Sequence, residues 1–326
     1  MTTTNKLLSI IIVSFNTCDI LRKCLNRVRE YGAEIDLETF VVDNASNDGS
    51  SNMVAKEFPE VKLIASSENL GFAAGNNLAL RRASGRFFLL LNSDAYLLPD
   101  TLESTIKFME ENPSCGVLGV KLIGEDGKLQ PSARMLPNAW FKFLVISGIA
   151  SKFPNSRALG GPDYSWWDHS DIREVGWVPG AYFLTRKEVT DKVGFLDERY
   201  FLYYEETDFC LQTKKAGRQV IFYPHAKVIH LGGESSKTTK KRMSSTGKQL
   251  IHIRIKSELR YYRKNFGLRR MLSAADVEIF WQSIVWIKNA LIRGKKSDIK
   301  REDAAITINL IFKTLLKDHF GKGIIP

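Results

Sequence analysis

The sequence predicts an α/β fold in which a mostly parallel, Rossmann-like sheet is flanked by helices. Nearly continuous apolar runs at residues 7–13 and 87–91 are typical of strands that are buried on both faces. Segments with helical spacing, such as residues 18–31, alternate with strands in units of roughly 25 to 30 residues, which favours parallel strands joined by right-handed crossovers. Polar residues follow several of these strands, at the edge where open α/β sheets bind ligands.

The apolar run at residues 87–91 is predicted to be the central strand. It is too short to cross a membrane, and it ends at Asn92-Ser93-Asp94, a polar triplet with one carboxylate. A helical pattern then opens at Pro99-Asp100 and ends near residue 112. Because Asn and Asp in such a place often only cap a turn, the triplet alone does not establish a site.

The elements that follow are less regular. Residues 131–174 contain Pro, Gly and aromatic residues with weak periodicity, and we expect a functional loop there, such as a lid. A helix is predicted to open at Glu205-Glu206-Thr207-Asp208 and to end at Gly217. Further strands are predicted at residues 38–42, 61–65, 116–123, 175–184, 220–223 and 227–229, of which the one at 175–184 is interrupted by Pro179-Gly180.

The length and composition indicate one large domain, residues 1–235, and a basic, helical C-terminal extension, residues 236–326. Four cysteines without CxxC or zinc spacing predict reduced thiols in a cytoplasmic protein. We expect no signal peptide and no transmembrane helix, because no leader pattern is evident and the apolar runs are short or interrupted by charge.

The net charge of +11 originates in a single segment. Residues 237–270 carry twelve Lys and Arg against one acid, whereas the remaining 35 basic and 35 acidic residues balance. Together with Phe280-Trp281 and Trp286-Ile287, this charge favours an anionic membrane surface as partner, and a packed helical cap is the alternative. Nucleic acid is not expected, because no recognised binding motif accompanies the charge.

Three further features could form a site, although each has a simpler explanation. Asp43 follows the second strand, in a loop of turn-forming residues. The carboxylates between Glu205 and Asp208 lie in a first helical turn, where they complement the helix dipole without any other role. His230 follows a late strand, and with Asp94 it could bind a metal ion whose shell a diphosphate completes.

Seven short motifs occur in a fixed order along the chain. They are Val-Ser-Phe-Asn at 13–16, Val-Asp-Asn-Ala-Ser-Asn-Asp-Gly-Ser at 42–50, Asn-Leu-Gly-Phe-Ala-Ala-Gly-Asn at 69–76, Leu-Asn-Ser-Asp at 91–94, Gly-Ala at 180–181, Tyr-Tyr-Glu-Glu-Thr-Asp-Phe-Cys at 203–210 and His-Leu-Gly-Gly at 230–233. On these motifs the chain resembles the family 2 inverting glycosyltransferases of the GT-A fold, specifically the bacterial rhamnosyltransferase-like group. The resemblance covers roughly residues 7–235.

The resemblance implies a donor site and a metal site. Asp43 would accept a hydrogen bond from the pyrimidine ring of the nucleotide, with Ser14 nearby. Asp94 would bind a divalent ion, Mg²⁺ or Mn²⁺, that bridges the diphosphate, with His230 as its second protein ligand. The other donor-binding residues implied are Asn69, Gly71, Asn76, Asn92 and Ser93.

The resemblance also implies a catalytic base and an acceptor side. Glu206 falls where the family places its base, and Asp208 is the alternative. Trp177, Gly180, Ala181 and Glu205 would line the acceptor side. The chain departs from the family pattern in two places, since Asn92 replaces the first Asp of the Asp-x-Asp metal motif and Glu206 replaces the commoner Asp.

From these roles we expect an inverting, metal-dependent transfer of a sugar, L-rhamnose from a dTDP donor, onto a cell-envelope polysaccharide or a lipid-linked glycan. The protein would be cytoplasmic and peripheral at the inner face of the membrane. A UDP-sugar donor is the alternative within enzymes. A catalytically inactive glycan- or membrane-binding scaffold is the alternative from another class, whereas a pyrophosphorylase is disfavoured because its early Gly-rich loop is missing.

Overall fold

Residues 6–232 and 248–317 are described by a computed structural model, and their contacts group them into two units. The first unit comprises the described residues of Met1–Met135, Asp168–Phe201 and Glu205–Arg242. The second unit comprises the described residues of Leu136–Trp167, Leu202–Tyr204 and Met243–Pro326. The domain boundary predicted after residue 235 lies outside the described residues and stays a prediction.

The first unit is built on one mixed sheet of ten strands. In space the strands follow the order β3-β2-β1-β4-β9-β6-β10-β5, with β7 paired to β6 and β8 paired to β10. The strands, in chain order, are β1 Leu8–Ser14, β2 Leu37–Asp43, β3 Lys62–Ala65, β4 Phe87–Leu91, β5 Ala95–Leu97, β6 Cys115–Ile123, β7 Leu129–Gln130, β8 Arg173–Glu174, β9 Tyr182–Arg186 and β10 Gln219–His230.

The first half of the sheet is parallel, as predicted, and the second half combines the parallel pair β6–β10 with antiparallel pairs. β1 pairs in parallel with both β2 and β4, and β2 pairs in parallel with β3. β9 runs antiparallel between β4 and β6, so that the sheet is mixed. The predicted strand at residues 175–184 is wrong over its first part, because Trp177 exchanges backbone hydrogen bonds with Arg134 instead and Pro179 has no N–H to offer.

The helices of the first unit cover the faces of this sheet. Three of them lie at the predicted positions, residues 18–31, the segment between residues 100 and 112, and the segment after residue 205. The helices of this unit are α1 Cys18–Tyr31, α2 Ser50–Glu57, α3 Gly71–Leu80, α4 Thr101–Glu111, α7 Lys187–Val193 and α8 Glu205–Lys215. The core between sheet and helices is formed by the apolar runs, since every residue of β4 is buried and Leu8, Ile10, Ile11 and Ile12 of β1 are fully buried.

The second unit is helical. Its helices are α5 Ala139–Ile146, α6 Ile149–Lys152, α9 Lys248–Ala290 and α10 Lys295–Lys317. The expected loop at 131–174 therefore contains two helices, and Asn138 caps the first of them by accepting a hydrogen bond from Phe141 N. α9 consists of two helical segments, because Gly267 (φ 82°, ψ −179°) interrupts it. None of the helices in the described ranges is both long and apolar enough to cross a bilayer.

A buried carboxylate holds the amino-terminal edge of the parallel strands together. Glu38 of β2 accepts hydrogen bonds from Ser9 Oγ (2.6 Å), Ser84 N (2.7 Å) and Ser84 Oγ (3.0 Å), and Lys62 Nζ lies 2.5 Å from it. Burial alone would raise the pKa of Glu38, but these donors outweigh it and hold the pKa below its ordinary value of 4.5. The ionised carboxylate therefore ties β1, β2, β3 and the entry to β4.

We expect Glu38→Gln to lower the free energy of unfolding by about 1–3 kcal/mol, because an amide cannot accept from all of these donors. The folded-state pKa of Glu38 lies below the unfolded value, so the carboxylate stabilises the fold above pH 4.5 and loses that effect as the pH falls. Urea unfolding of both proteins between pH 3 and pH 7, roughly the carboxyl titration range, measures the difference. Equal stability of the two proteins at neutral pH would contradict this role.

Candidate functional site

The parallel register brings the carboxyl ends of β1, β2 and β4 to one edge of the sheet. Ser14, the last residue of β1, pairs with Asp43, the last residue of β2. The triplet Asn92–Asp94 follows β4 on the other side of β1, and Leu231 N donates to Asp94 O, which adds the end of β10 to the same edge. The predicted site residues Ser14, Asp43, Asp94 and His230 are therefore gathered at one edge.

Asp43 is buried and presents one carboxylate oxygen that is not used by the protein. Its Oδ2 accepts from Ser51 Oγ (2.6 Å) and from Ser46 N (3.3 Å). Oδ1 is buried and has no hydrogen-bond partner among the described residues, and the same holds for Nδ2 of the nearby Asn16. A bound group that offers a donor to Asp43 and an acceptor to Asn16 would satisfy both atoms.

The Ser14 hydroxyl does not point to a ligand but belongs to a buried chain of hydroxyls. Ser14 Oγ lies 2.8 Å from Thr17 Oγ1, and Thr17 Oγ1 donates to Ser93 Oγ at 3.2 Å. All three residues are buried. The chain connects the end of β1, the start of α1 and the triplet after β4, so Ser14 and Ser93 hold the site in shape.

The turn that opens α3 is hydrogen-bonded to Asn44, the residue that follows Asp43. Asn69 Oδ1 accepts from Gly71 N (3.0 Å), and Asn44 Nδ2 donates to Gly71 O (2.9 Å). Gly71 has a φ of +80°, and a Cβ added there would lie 2.2 Å from Phe201 O. Only glycine fits this position. Asn76 donates to Phe72 O within α3, so it stabilises the helix that carries the turn.

Asp94 and His230 form a convergent pair of metal-ligating atoms, with Asp94 Oδ1 3.4 Å from His230 Nε2. Gln130 fixes the ring, because its Nε2 donates to His230 O (2.7 Å) and its Oε1 lies 2.9 Å from His230 Nδ1. With Gln130 Oε1 beside Nδ1, Nε2 is the ring nitrogen that faces Asp94. One carboxylate oxygen and one imidazole nitrogen suit Mn²⁺ or Mg²⁺ completed by diphosphate oxygens. Within residues 6–232 and 248–317, no group of three or more His, Cys, Asp and Glu side chains is arranged so that it could hold a metal ion by itself.

Glu206 is connected to the same edge through Gly180 and Ala181. The Gly180 N–H donates to the Glu206 carboxylate, and Asn92 N donates to Ala181 O at 3.3 Å. A Cβ on Gly180 would lie 2.8 Å from the ring of Phe72, so the Gly180 backbone also packs directly on the start of α3. The two acceptor-side residues Gly180 and Ala181 thus lie between Glu206 and the polar triplet.

Glu206 lies in an environment in which it holds a proton more tightly than an ordinary carboxylate does. Burial raises the pKa of Glu206, while the Gly180 hydrogen bond and the Arg134 cation oppose the rise without cancelling it. Glu206 Oε2 is buried and has no hydrogen-bond partner within the described part of the chain. The ring of Trp177 lies 5.5 Å below the Arg134 guanidinium, and its Nε1 donates to Met135 O, so Trp177 positions that cation.

The neighbouring carboxylates of α8 are more deeply enclosed than Glu206. Glu205 is 2% exposed and Asp208 is 3% exposed, whereas Glu206 is only partly buried. Gln212 Nε2 donates to Asp208 Oδ1 at 3.4 Å. This burial makes Glu206 the carboxylate of the three best able to meet an acceptor.

Sequence reasoning missed four residues that shape this site: Asn16, Thr17, Gln130 and Arg134. Asn16 is the last residue of a recognised motif and Thr17 follows it, so their polar side chains at a strand end are a weak signal that could have been used. Gln130 and Arg134 act on residues 100 and 72 positions away, and Arg134 lies in the segment expected to be a loop. Nothing in the local sequence marks them.

Comparison with known proteins finds similarity to one family and to glycosyltransferases. The profile of the family described as Glycosyl transferase family 2 matches residues 9–204. An N-acetylglucosaminyl-diphospho-decaprenol L-rhamnosyltransferase from Mycobacterium tuberculosis is 26% identical over 221 residues, which span 60% of this chain and 67% of that protein. A low-salt glycan biosynthesis hexosyltransferase from Haloferax volcanii is 21% identical over 212 residues, 64% of this chain and 62% of that protein.

A solved mannosyltransferase from Pyrobaculum calidifontis, in complex with GDP-Man and Mn²⁺, has a TM-score of 0.55 to this chain at 16% identity. The match covers 97% of this chain and 88% of the mannosyltransferase. At this identity the likeness shows the fold alone, and it confirms the predicted GT-A fold. The profile match and the rhamnosyltransferase relative confirm the resemblance drawn from the seven motifs.

We expect Gly71→Ala to destabilise the protein by about 2–4 kcal/mol, because it combines a left-handed φ with a clash against the Phe201 carbonyl. Gly127→Ala is the matched control, since Gly127 has a φ of +73° and open space around its Cβ. The control should cost about 1 kcal/mol, the strain of the backbone alone. Denaturant unfolding measures both, and equal losses would show that Phe201 does not restrict the turn.

Proposed function

Because the chain belongs to glycosyl transferase family 2, we propose that it is an inverting glycosyltransferase that uses a pyrimidine nucleoside diphosphate sugar. We propose L-rhamnose, carried by dTDP, as the sugar and a hydroxyl of a cell-envelope polysaccharide or lipid-linked glycan as the acceptor. One observation carries the proposal. A buried acceptor oxygen on Asp43, the Asp94–His230 pair and the partly buried Glu206 are brought together at a single sheet edge.

The hydrogen-bonding capacity around Asp43 supports a pyrimidine base. Uracil and thymine offer one N–H donor between two carbonyl oxygens, which matches the single unused oxygen of Asp43 and the unused amide N–H of Asn16. Guanine presents two adjacent donors and needs two acceptors, but Ser46 and Ser51 already occupy Asp43 Oδ2. Uracil and thymine share this pattern, so a UDP-sugar remains the alternative donor. The rhamnosyltransferase relative favours the dTDP sugar.

The Asp94–His230 pair fits a divalent ion at the diphosphate. Such an ion, when bound, neutralises charge that develops on the departing nucleoside diphosphate. Asp94 would supply the anionic ligand, and His230 would be held in the ligating orientation by Gln130. Asn92 contributes its backbone N–H to Ala181 and brings no second carboxylate, so the ion would depend on the diphosphate for the rest of its shell.

Glu206 is proposed as the general base. It would take the proton from the acceptor hydroxyl, whose oxygen then attacks the anomeric carbon from the face opposite the leaving diphosphate and inverts its configuration. Its raised pKa makes it a stronger base than an ordinary carboxylate, and its unused oxygen is free to accept that proton. Asp208 remains the alternative base. Trp177, Gly180, Ala181 and Glu205 would shape the acceptor side.

The donor site is tested by thermal unfolding with dTDP, UDP or GDP, each with Mn²⁺, Mg²⁺ or a chelator. At about a hundred times its dissociation constant, a ligand adds about 2.7 kcal/mol to stability, which is readily seen as a rise in Tm. We expect a metal-dependent shift with dTDP or UDP and none with GDP. Asp43→Asn, which places an N–H against the ring N–H, should abolish the pyrimidine shift.

Asp36→Asn, on the exposed loop at the opposite edge of the sheet, is the control and should keep the full shift. A GDP shift that equals the dTDP shift would contradict the pyrimidine assignment. No shift with any nucleotide, with or without metal, would favour the inactive scaffold over the enzyme.

Glu206→Gln should lower kcat by at least about 10³-fold, because the base is lost, while the thermal shift caused by the donor nucleotide is kept. Asp208→Asn is the comparison and should retain more activity. In the wild type, kcat/KM should rise with pH through a pKa above the ordinary value of 4.5, since the base must be deprotonated. Near-normal turnover by Glu206→Gln would transfer the role to Asp208.

A further inference from the structure

The second half of α9 has a surface that is unusual for a helix in water. Phe280, Ile284 and Ile287 recur at intervals of four and three residues and therefore lie along one face of the helix. We call these three residues, together with Leu291 directly after the last helical residue Ala290, the α9 stripe. They are exposed by 59%, 38%, 56% and 82% of their surface, respectively. The stripe is about 16 Å long, from a rise of about 1.5 Å per residue.

The opposite face of the same helix segment is polar and buried. Glu278 is 2% exposed and lies 3.1 Å from Lys142 Nζ of α5, and Lys142 also lies 2.9 Å from Glu258. Burial opposes ionisation, but the Lys142 and Arg254 cations hold the pKa of Glu278 below its ordinary value, so the inward group is charged. Asn289, further along this face, is 8% exposed. Charge is thus inside the helical unit, and apolar surface is outside.

The stripe continues into a cluster of cations. Residues 279–297 contain four cations, Lys288, Arg293, Lys295 and Lys296, and no Asp or Glu. These four are exposed, and no ion pair joins any of them to another side chain within the described ranges. Trp281, which contacts the Phe143 ring edge-on at 6.1 Å, and the 44% exposed Trp286 add the aromatic residues that favour a membrane–water interface.

We propose that the α9 stripe and its four cations form a docking surface for an anionic phospholipid bilayer, with the helix lying in the plane of the interface. The apolar side chains enter the headgroup–acyl boundary while the cations contact lipid phosphates. A second copy of the chain fits less well. If two copies paired stripe to stripe with their helices parallel, about a twofold axis that runs along the helices, the cations of one copy would face those of the other. A bilayer supplies both the apolar phase and the opposite charge.

This surface shares Phe280 and Ile287 with the predicted membrane element, but its four cations lie outside the predicted basic segment at residues 237–270. Residues 237–247 lie outside the described part of the chain. In the described remainder, Arg254 pairs with Glu258 and Glu278, and Arg260 is only 3% exposed, so these two cations serve the interior of the helical unit. A membrane-docking surface would bring the enzyme to a lipid-linked acceptor, and only this consequence rests on the proposed function. Binding to vesicles is measured without catalysis, so the two can fail separately.

The full-length protein is sedimented with vesicles of phosphatidylcholine alone or with roughly one-third phosphatidylglycerol, at low salt. We expect binding to the anionic vesicles and at least about tenfold weaker binding to the neutral ones. Ile287→Glu/Leu291→Glu should reduce binding to anionic vesicles by about tenfold or more, since two apolar contacts are replaced by repelled charges. Lys295→Ala/Lys296→Ala should reduce it by about 25-fold, since each cation contributes about fivefold.

Matched controls separate the surface from general effects of charge. Ile172→Glu replaces an exposed apolar residue of the first unit, and Lys56→Ala/Lys107→Ala removes two exposed cations there. Both controls should bind like the wild type. Unchanged binding of both test variants, or binding lost equally in the controls, would overturn the proposal. So would a wild-type dimer that Ile287→Glu/Leu291→Glu converts to a monomer in analytical ultracentrifugation, because the stripe would then cover a second copy.

Discussion

The parallel pairing of β1 with β2 on one side and β4 on the other is the constraint on which the rest of the site depends. This pairing sets Ser14 beside Asp43 and places the triplet Asn92–Asp94 across β1 from them. A slip by one residue would turn every side chain of the strand to the other face, and the fully buried apolar residues of both strands oppose such a slip. Burial of the apolar residues of the strands therefore fixes the positions of the polar groups at the strand ends.

The amino-terminal and carboxyl edges of the parallel strands differ in how completely their buried polar groups are hydrogen-bonded. At the amino-terminal edge, Glu38 accepts hydrogen bonds from Ser9 and Ser84 and pairs with Lys62, so a buried charge is fully compensated. At the carboxyl edge, buried oxygen or nitrogen atoms of Asp43, Asn16 and Glu206 find no partner in the described chain. Each such atom carries a desolvation cost of about 1–3 kcal/mol. A protein tolerates that cost where a ligand removes it, so the difference between the edges is itself a mark of function.

The sequence predicted those features that depend on local pattern. Apolar runs located β1 and β4, helical spacing located α1, and ordered motifs located Asp43, Asp94, Glu206 and His230. It could not predict the partners that tune them, because Gln130 reaches His230 across 100 positions. The interior of the helical unit was equally hidden, since the basic residue Arg254 faces two buried acids. From a sequence alone, charged residues are ordinarily expected at the protein surface, and only the packed structure shows which of them are buried.

The replacement of the first metal-motif Asp by Asn92 is consistent with the electrostatics of this edge. Asp94 and Glu206 are linked through Asn92, Ala181 and Gly180, so a carboxylate at position 92 would add a third negative charge within this connected region. Like charges raise the pKa of a carboxyl group. With Asn92 neutral and Arg134 nearby, the pKa of Glu206 is raised mainly by burial and not by repulsion from a neighbouring carboxylate. The neutral side chain of Asn92 thus adds no further negative charge to the region around Glu206.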